Sequence, residues 1–371
     1  MKTNTYNWAL AFFLTLILFS SCRKEEIPDI EDIPEAPCWE LHPEIELDHR
    51  LLVQSFTTED YIYLLSNNYF LKMDETGLLE EHFISEQGNL SLYDYPMLND
   101  KIFAVGMDLY NLDTLEIFST QNPDVSASID LLSIDSTFVE INYFLGNGMC
   151  VNEDNKLLFS VRKNTDLGTS DPNLYFWMFD FTLDENNLII NFDKEVKIEI
   201  SGSMSFYGSK VVSEMVVFEN DFYCSIYNPS TTFRIDSEGS YEELFPLRDA
   251  TIFSHNDTLF ALGHFYDCDI SYAVKDPQSS QWETLTFGVN DACWGRFYQI
   301  GGRFIMKNGN QLWELKINHS AGTYSLKELE NNCVQKTSIR TVFKFQDKVY
   351  LCTPEGLYLK NFEDFFKYKE E

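Results

Sequence analysis

Basic residues are scarce in this chain. Its 371 residues include 27 Lys and Arg against 59 Asp and Glu, for a formal net charge of −32 at pH 7. Because a nucleic-acid backbone is a polyanion, a protein that binds it needs a basic footprint. The charge balance therefore argues against nucleic acid as a partner. Disorder is also excluded, because 44% of the residues are hydrophobic and 15% are aromatic.

Signatures of known catalytic sites are missing as well. The chain has no G-x-S-x-G elbow, H-E-x-x-H helix, Walker loop or G-x-G-x-x-G turn. No C-x-x-C pair is present, so neither a zinc ribbon nor a thioredoxin-type site is indicated. We therefore expect no cofactor. Whether the protein is an enzyme stays open, although the missing motifs favour a protein that is not one.

Metal ligands show no useful spacing. The Asp184-Glu185-Asn186-Asn187 segment lacks the alternation and the glycine of a calcium loop, so it predicts a hairpin turn. The histidines are scattered, which favours surface or hairpin-end positions over ligation, and we predict no metal site. The six histidines are His42, His49, His82, His255, His264 and His319.

Long hydrophobic runs are absent except near the N-terminus, which excludes a multi-span membrane protein. Residues 8–19 are uncharged, with Thr15 as the single polar residue, and match the apolar core of a signal peptide in length. Leu18-Phe19-Ser20-Ser21-Cys22 resembles the lipobox of bacterial lipoproteins. That resemblance implies cleavage of residues 1–21 and a lipid, such as palmitate, on Cys22. An ordinary signal peptide that contains a Cys is the alternative.

A short acidic segment follows the lipobox-like sequence. Residues 23–37 contain three prolines and six acidic residues, show no helical or strand period and carry a net charge of −4. With Cys22 they predict a tether over residues 22–37. Lys24-Glu25-Glu26 resembles the surface-export signal of Bacteroidota lipoproteins. This implies a lipid-anchored protein on the outer face of the outer membrane, and the periplasmic face is the alternative.

A unit repeats through residues 38–371. It contains an apolar strand, a tight turn rich in Asn, Asp and Gly, a second apolar strand and then a third. Positions two to four after each turn are apolar in 20 of 21 cases, Ser225 being the exception, which indicates strands buried on both faces. The turns are Glu59-Asp60, Asn99-Asp100, Asp154-Asn155, Asn220-Asp221, Asn256-Asp257, Gly301-Gly302 and Gln346-Asp347.

A third strand follows each pair. The fourth strands are less regular and are clearest at residues 189–200 and 282–287. The turns recur at a mean spacing of about 48 residues, which is the period of a β-propeller blade. The predicted third strands lie at residues 70–74, 109–113, 177–180, 233–236, 272–275, 312–316 and 357–360.

The chain resembles β-propellers as an architecture and no particular motif family. The Trp-Asp dipeptide of WD40 repeats and the Asp box of sialidases are absent, and Gly-Gly occurs once. We predict an all-β domain over residues 38–371, a propeller of seven four-stranded blades. Six or eight blades are alternatives, because the longer steps around blade 3 can hide an irregularity. A large β-sandwich is the alternative fold.

The cysteines predict one disulfide. Cys268 lies in the second–third loop of blade 5, predicted as a long loop over residues 263–270, and Cys293 lies in the loop that leads into blade 6. Those loops share the rim on which propellers usually bind ligands, so we predict a Cys268–Cys293 bond. Cys38 and Cys333 are a second candidate pair, where blade 7 meets blade 1. Three more cysteines are expected to pack as free thiols in apolar strands, namely Cys150, Cys224 and Cys352.

The predicted bond gathers a candidate rim site. Carboxylates can accept bonds from sugar hydroxyls, and a Trp ring offers a flat apolar face, so the set suits a sugar or a cation. Paired carboxylates can also perform acid–base chemistry. A solvated loop with Trp294 packed between blades is the alternative. The candidate residues are His264, Asp267, Asp269, Asp291, Trp294 and Arg296.

Two functions remain at this stage. The first is a monomeric, surface-tethered binding module for a glycan, a peptide or an outer-membrane partner protein. The second is a glycan hydrolase or lyase that uses the rim carboxylates.

Overall fold

The computed structural model describes most of residues 38–369. Residues 1–37, which contain the predicted signal peptide, Cys22 and the tether, lie outside the described part. No helix among the described residues is long and apolar enough to cross a membrane. The described ranges are 38–45, 52–66, 69–84, 97–106, 114–141, 148–164, 173–199, 212–226, 231–255, 258–265, 269–275, 282–287, 295–318, 320–334 and 336–369.

The chain folds into seven antiparallel sheets, which confirms the seven-bladed propeller. In blades 1 to 3 each sheet follows the chain outward from the first strand to the fourth. The strands of blades 1 to 3 are β2 (Leu52–Thr57), β3 (Ile62–Ser66), β4 (Tyr69–Asp74), β5 (Gly77–Phe83); β6 (Met97–Leu98), β7 (Ile102–Gly106), β8 (Thr114–Ser119), β9 (Ser126–Asp130); and β10 (Phe138–Ile141), β11 (Met149–Val151), β12 (Lys156–Lys163), β13 (Leu174–Leu183), β14 (Leu188–Ile198).

Blades 4 to 6 have the same order, whereas blade 7 takes its fourth strand, β1 (Glu40–Leu41), from the N-terminal part of the chain. Two short helices complete the described elements. These helices are α1 (Leu131–Ile134) and α2 (Phe362–Phe365). The strands of blades 4 to 7 are β15 (Val212–Phe218), β16 (Asp221–Ile226), β17 (Thr231–Ile235), β18 (Tyr241–Phe245); β19 (Arg248–His255), β20 (Thr258–Phe265), β21 (Asp269–Lys275), β22 (Trp282–Phe287); β23 (Arg296–Ile300), β24 (Arg303–Asn308), β25 (Gln311–Asn318), β26 (Thr323–Glu328); and β27 (Thr341–Phe345), β28 (Lys348–Thr353), β29 (Gly356–Asn361) with β1 (Glu40–Leu41).

The blades close into a ring. Most first strands contact the first strands of the neighbouring blades, and β27 of blade 7 contacts β2 of blade 1. We call the end of the ring at which the first strands begin the upper rim. The loops between second and third strands lie at the same end. The lower rim carries the turns between first and second strands.

Seven apolar clusters fill the gaps between blades, one at each interface. This explains why the second and third strands have no polar face: each side of a blade packs on a neighbour. In β13, for example, the six residues from Leu174 to Phe179 are all buried. The interface between blades 1 and 2 is a stack of parallel rings, with Phe103 lying 4.5 Å from Phe70 and 4.9 Å from Phe118.

The predicted hairpin turns have the expected backbone chemistry. At least one residue of the predicted turn has positive φ in blades 3, 4, 6 and 7, and in blades 3, 4 and 6 it is an Asn or a Gly, which tolerate positive φ best. In blade 2 the side chain of Asn99 stabilises the turn instead. Its Oδ1 accepts hydrogen bonds from the backbone N–H groups of Lys101 (2.7 Å) and Ile102 (2.8 Å). The predicted hairpin at residues 184–187 is also confirmed, since the Asp184 N–H donates to the Asn187 carbonyl at 3.0 Å.

The two ends of the described part of the chain meet in blade 7. The N-terminal strand β1 supplies the fourth strand of this blade and pairs Glu40 with Leu359 of β29. A disulfide joins Cys38, just ahead of β1, to Cys333 in the loop between blades 6 and 7. The second candidate pair is therefore confirmed. It bridges the outer strand of blade 7 to the preceding loop, whereas the sequence had placed it between blades 7 and 1.

Two strand predictions were wrong. The third strand of blade 2 is Thr114–Ser119, because its alternate residues Leu115 and Ile117 are buried, and the predicted residues 109–113 lie outside the described part. The second–third loop of blade 5 is not long. Backbone pairing continues from Gly263 to Phe265, which faces Asp269, so only residues 266–268 connect the two strands.

Blade 3 contains the irregularity that its long repeat steps suggested. Its first strand is divided into β10 and β11, which pair with successive parts of β12. Ile141 faces Val161, and Met149 faces Phe159. Seven positions of the chain separate Ile141 from Met149, whereas the single residue Ser160 separates their partners. The repeat survives this insertion because the strands on either side keep their register.

Candidate functional site

The predicted rim site falls only partly on described residues. His264 and Asp269 lie at the upper end of β20 and β21, and Arg296 begins β23. All three strands end or begin at the upper rim, as the prediction requires. Asp267, Asp291 and Trp294 lie outside the described residues, as do Cys268 and Cys293, so the predicted bond between these cysteines stays a prediction.

The clearest cluster of charge lies at the upper rim between blades 6 and 7. Arg296 is paired directly with Lys307 in the β23–β24 ladder. Cross-strand partners point to the same face of a sheet. In β23 that face also carries Tyr298 and Ile300, which pack in the apolar cluster shared with blade 7. Both cations therefore point toward blade 7.

The Lys307 ammonium group lies next to the start of blade 7. It donates a 2.7 Å hydrogen bond to the carbonyl of Ile339. Burial, together with the nearby positive charges of Arg296 and Arg340, lowers the pKa of Lys307 to about 8. With this pKa Lys307 is mostly charged at pH 7 and loses its proton as the pH rises past about 8, and a nearby anion would favour the charged form.

Arg340 is the third cation of this cluster. It immediately precedes β27, and its carbonyl accepts a 3.1 Å hydrogen bond from the Tyr298 hydroxyl of blade 6. Its own N–H donates to the carbonyl of Cys352 at 2.8 Å. The backbone of Arg340 is thus fixed from two blades. Its Nε is buried and has no hydrogen-bond partner among the described residues. We call Arg296, Lys307 and Arg340 the cation cleft.

One carboxylate, on blade 4, acts on Tyr298, which lies beside these cations. The Glu214 carboxylate of blade 4 accepts a 2.8 Å hydrogen bond from the Thr251 hydroxyl of blade 5. Burial raises the pKa of Tyr298, and the charges of Arg296 and Glu214 act on it in opposite directions. Glu214 therefore lies close enough to influence Tyr298. Among the described residues, no acidic side chain forms an ion pair with any cation of the cleft.

In blade 3, by contrast, a partly buried lysine has acidic partners for its ammonium group. Lys163 forms ion pairs with Asp135 and, at 2.8 Å, with Glu195. Its ammonium also lies 4.6 Å from the centre of the Tyr175 ring. These partners raise the pKa of Lys163 despite its burial. The contrast with Lys307 shows that the cation cleft is the unusual arrangement.

The backbone at the cleft depends on one glycine. A Cβ on Gly295 would lie 2.7 Å from Cγ of Met306, so a side chain there would collide with β24. Gly295 therefore lets β23 begin close against its neighbour and places Arg296 next to Lys307. In the described part of the chain, no group of three or more His, Cys, Asp or Glu side chains is arranged to hold a metal ion.

Sequence reasoning named Arg296 but missed Lys307 and Arg340. The signal for Lys307 was present, because a two-residue turn at Gly301-Gly302 places residue 296 opposite residue 307. Arg340 had no such signal. It approaches the other two only because blade 7 packs on blade 6, and this contact is not encoded in any local pattern.

Comparisons with known proteins identify the fold and no family. No protein-family model matches the chain, and no curated protein does. Among solved structures, streptogramin B lyase is 12% identical with a TM-score of 0.52, over 87% of this chain and 96% of that one. The Cps50 (Swd1) β-propeller domain of Myceliophteria thermophila is 11% identical with a TM-score of 0.52, over 84% and 97%.

A third similar structure comes from a larger protein. The extracellular domain of a putative hybrid two-component system from B. thetaiotaomicron is 14% identical with a TM-score of 0.50. The match covers 87% of this chain and 39% of that domain. At such identities the likeness concerns the fold alone. The comparisons therefore agree with the strand topology that this chain is a β-propeller.

Proposed function

We propose that this protein is a lipid-anchored β-propeller that acts as a binding module at the outer-membrane surface. Its upper rim binds a glycan, a peptide or an outer-membrane partner protein. The observation that carries the proposal is the cation cleft between blades 6 and 7. Three positive side chains converge there in a strongly acidic chain, next to the end of the ring where loops can vary.

A binding role fits this site better than catalysis does. Acid–base hydrolysis of a glycan needs two carboxyl groups on either side of the bond. The described part of the cleft offers one nearby carboxylate, Glu214, and Thr251 already donates a hydrogen bond to it. Cations and a rigid backbone position a ligand without requiring any reaction.

The ring is built to hold a site rigidly. Seven apolar interfaces and the bond between Cys38 and Cys333 fix the blades relative to one another. Preformed sites on rigid elements lose little conformational entropy when a ligand binds. A rigid frame with ligand groups at one end suits recognition.

A glycan panel tests the proposal. The full chain, solubilised in detergent, is applied to immobilised neutral and acidic oligosaccharides, and retained ligands are then incubated with the protein to look for cleavage. Binding without product release is expected. Release of reducing ends that is abolished by Asp269→Asn would replace the binding module by a glycan hydrolase or lyase. Retention of no glycan would leave peptide and protein partners to be tested in the same format.

The anchor is tested separately. We expect cells that express the protein to incorporate radiolabelled palmitate into it, and Cys22→Ala to abolish the labelling. Cys150→Ala is the matched control, because it removes a free cysteine and leaves the bond between Cys38 and Cys333 intact. Protease treatment of intact cells distinguishes the two faces of the outer membrane: degradation supports the cell surface, and protection supports the periplasm.

A further inference from the structure

We propose that the cation cleft formed by Arg296, Lys307 and Arg340 binds a single oxyanionic group, a carboxylate or a sulfate. The group belongs to a small ligand or to the end of a larger one. This inference rests on the proposed function, since it assigns a ligand chemistry to the same rim. It goes beyond that function by naming the residues and the charge they recognise.

The first argument is the placement of like charges. Arg296 and Lys307 are direct cross-strand partners, and their side chains share the face toward blade 7. Like charges in this relationship destabilise a sheet. The hydrogen bond from Lys307 to Ile339 brings the ammonium to the residue next to Arg340. An anion between the three side chains would turn mutual repulsion into attraction.

The second argument is unused hydrogen-bonding capacity. An ammonium has three donors and a guanidinium has five. Among the described residues, Lys307 has one hydrogen-bond acceptor, the Ile339 carbonyl, and the buried Nε of Arg340 has none. Leaving a buried donor without a partner is costly. A carboxylate or a sulfate supplies the paired acceptor oxygens that guanidinium groups recognise best.

The acidic surface of the protein limits the charge that the ligand can carry. The chain carries a net charge of −32, so its long-range field repels anions. At physiological salt that field is screened beyond roughly 8 Å, whereas the three cations act on a bound group at contact distance. A ligand with one local negative charge gains the contact without the repulsion that a polyanion meets along the rest of the surface. A small acid or an acidic chain end therefore fits better than an extended polyanion.

Calorimetry with simple probes tests the inference. Glucuronate, inorganic sulfate and neutral glucose are titrated into the full chain in detergent at constant ionic strength. We expect glucuronate or sulfate to bind and glucose not to bind. Binding of both anions points to the shared chemistry, and binding of sulfate alone identifies a free inorganic oxyanion as the ligand.

Variants locate the site. Arg296→Gln and Arg340→Gln are each expected to weaken anion binding at least about tenfold. Lys197→Gln is the matched control, because it removes an exposed lysine on the outer strand of blade 3, and it should leave the affinity unchanged. Arg296 is exposed at the start of its strand, so its substitution is not expected to impair folding.

A pH series adds an independent readout. The groups that face Lys307 are Arg296 on β23 and Arg340 ahead of β27, with Glu214 reached through Tyr298. Because Lys307 has a pKa near 8, affinity for the anion should fall as the pH rises past 8. This fall in affinity above pH 8 should be absent in Lys307→Met.

Two results would overturn the inference. One is that neither anion binds to the wild type. The other is that both bind equally well to wild type, Arg296→Gln and Arg340→Gln. If a glycan from the panel binds in the same experiments and is unaffected by these substitutions, the binding module stands while the anion site fails.

Discussion

Cys38 is disulfide-bonded to Cys333, although the two are separated by 295 positions in the chain. Cys38 precedes the outer strand of blade 7, and Cys333 follows the last strand of blade 6. The N–H of Trp39 donates to the carbonyl of Asn332 beside the bond, and the Trp39 ring packs edge-on against Phe365 of α2. Both ends of the described chain are thus fastened at one position on the ring, where an open propeller would otherwise separate.

Breaking this bond should destabilise the whole ring. Reduction, or the double substitution Cys38→Ser with Cys333→Ser, is expected to lower the free energy of unfolding by roughly 2–5 kcal/mol, because the unfolded chain regains the freedom of a very long loop. Urea titration with and without reductant measures this. The control adds Cys268→Ser and Cys293→Ser, which removes the other predicted bond, and in that background reductant should not destabilise the double variant further. A variant as stable as the oxidised wild type would contradict the role of the bond.

The thiols should divide into protected and accessible classes. Cys150, Cys224 and Cys352 are free and fully packed between blades, and burial raises their thiol pKa. In the Cys22→Ala background, we expect no alkylation of these three in the native state. After denaturation without reductant, three alkylated cysteines support the predicted Cys268–Cys293 bond, and five exclude it. Mass spectrometry of the peptides reads out both results.

The ring stack between blades 1 and 2 should be a large stability contribution. Phe103→Ala removes a fully buried ring between Phe70 and Phe118. We expect a loss of about 3–5 kcal/mol, from the lost burial and from the cavity left behind. Leu79→Ala is the comparison, because the Leu79 side chain is 50% exposed. This substitution should lower the free energy of unfolding much less than Phe103→Ala does. Equal losses in the two variants would contradict the packing described for this interface.

Lys307 should give the stability a defined pH dependence. Its folded-state pKa of about 8 lies below the ordinary value of 10.5. Between these pH values the unfolded chain holds a proton that the folded chain has released, so the free energy of unfolding rises with pH. Lys307→Met should remove this rise between pH 8 and 10, while Lys197→Gln keeps it. Chemical denaturation across this range, in chloride buffers, makes the comparison. If the free energy of unfolding changes with pH in the same way in wild type and in Lys307→Met, the pKa of Lys307 is not lowered in the folded protein.

The blades could be predicted from the sequence because they are local. Each hairpin turn and the apolar strand after it follow from about ten neighbouring residues. The pattern predicted the turn of blade 2 correctly, although that turn is stabilised by hydrogen bonds to the Asn99 side chain and not by residues with positive φ. The error at residues 109–113 arose because blade 2 has the same apolar and aromatic pattern there. The repeat fixes the number of blades better than it fixes the start of each strand.

The closure and the site depended on contacts between distant segments. Nothing near Glu40 indicates that it pairs with Leu359, and nothing near Arg340 indicates that it faces Lys307. Both relationships exist only once blade 7 lies between blades 6 and 1. The rim residues named from the sequence were chosen for carboxylates, whereas the described part of the rim is defined by cations.

The most direct test of the account asks which rim of the ring binds the ligand. The dissociation constant of a ligand from the panel is measured for the wild type, for Arg296→Gln at the upper rim and for Lys348→Gln, which removes a lysine at the lower-rim end of β28. The account predicts that Arg296→Gln weakens binding at least about tenfold and that Lys348→Gln leaves it unchanged. Weakened binding in Lys348→Gln together with unchanged binding in Arg296→Gln would contradict it.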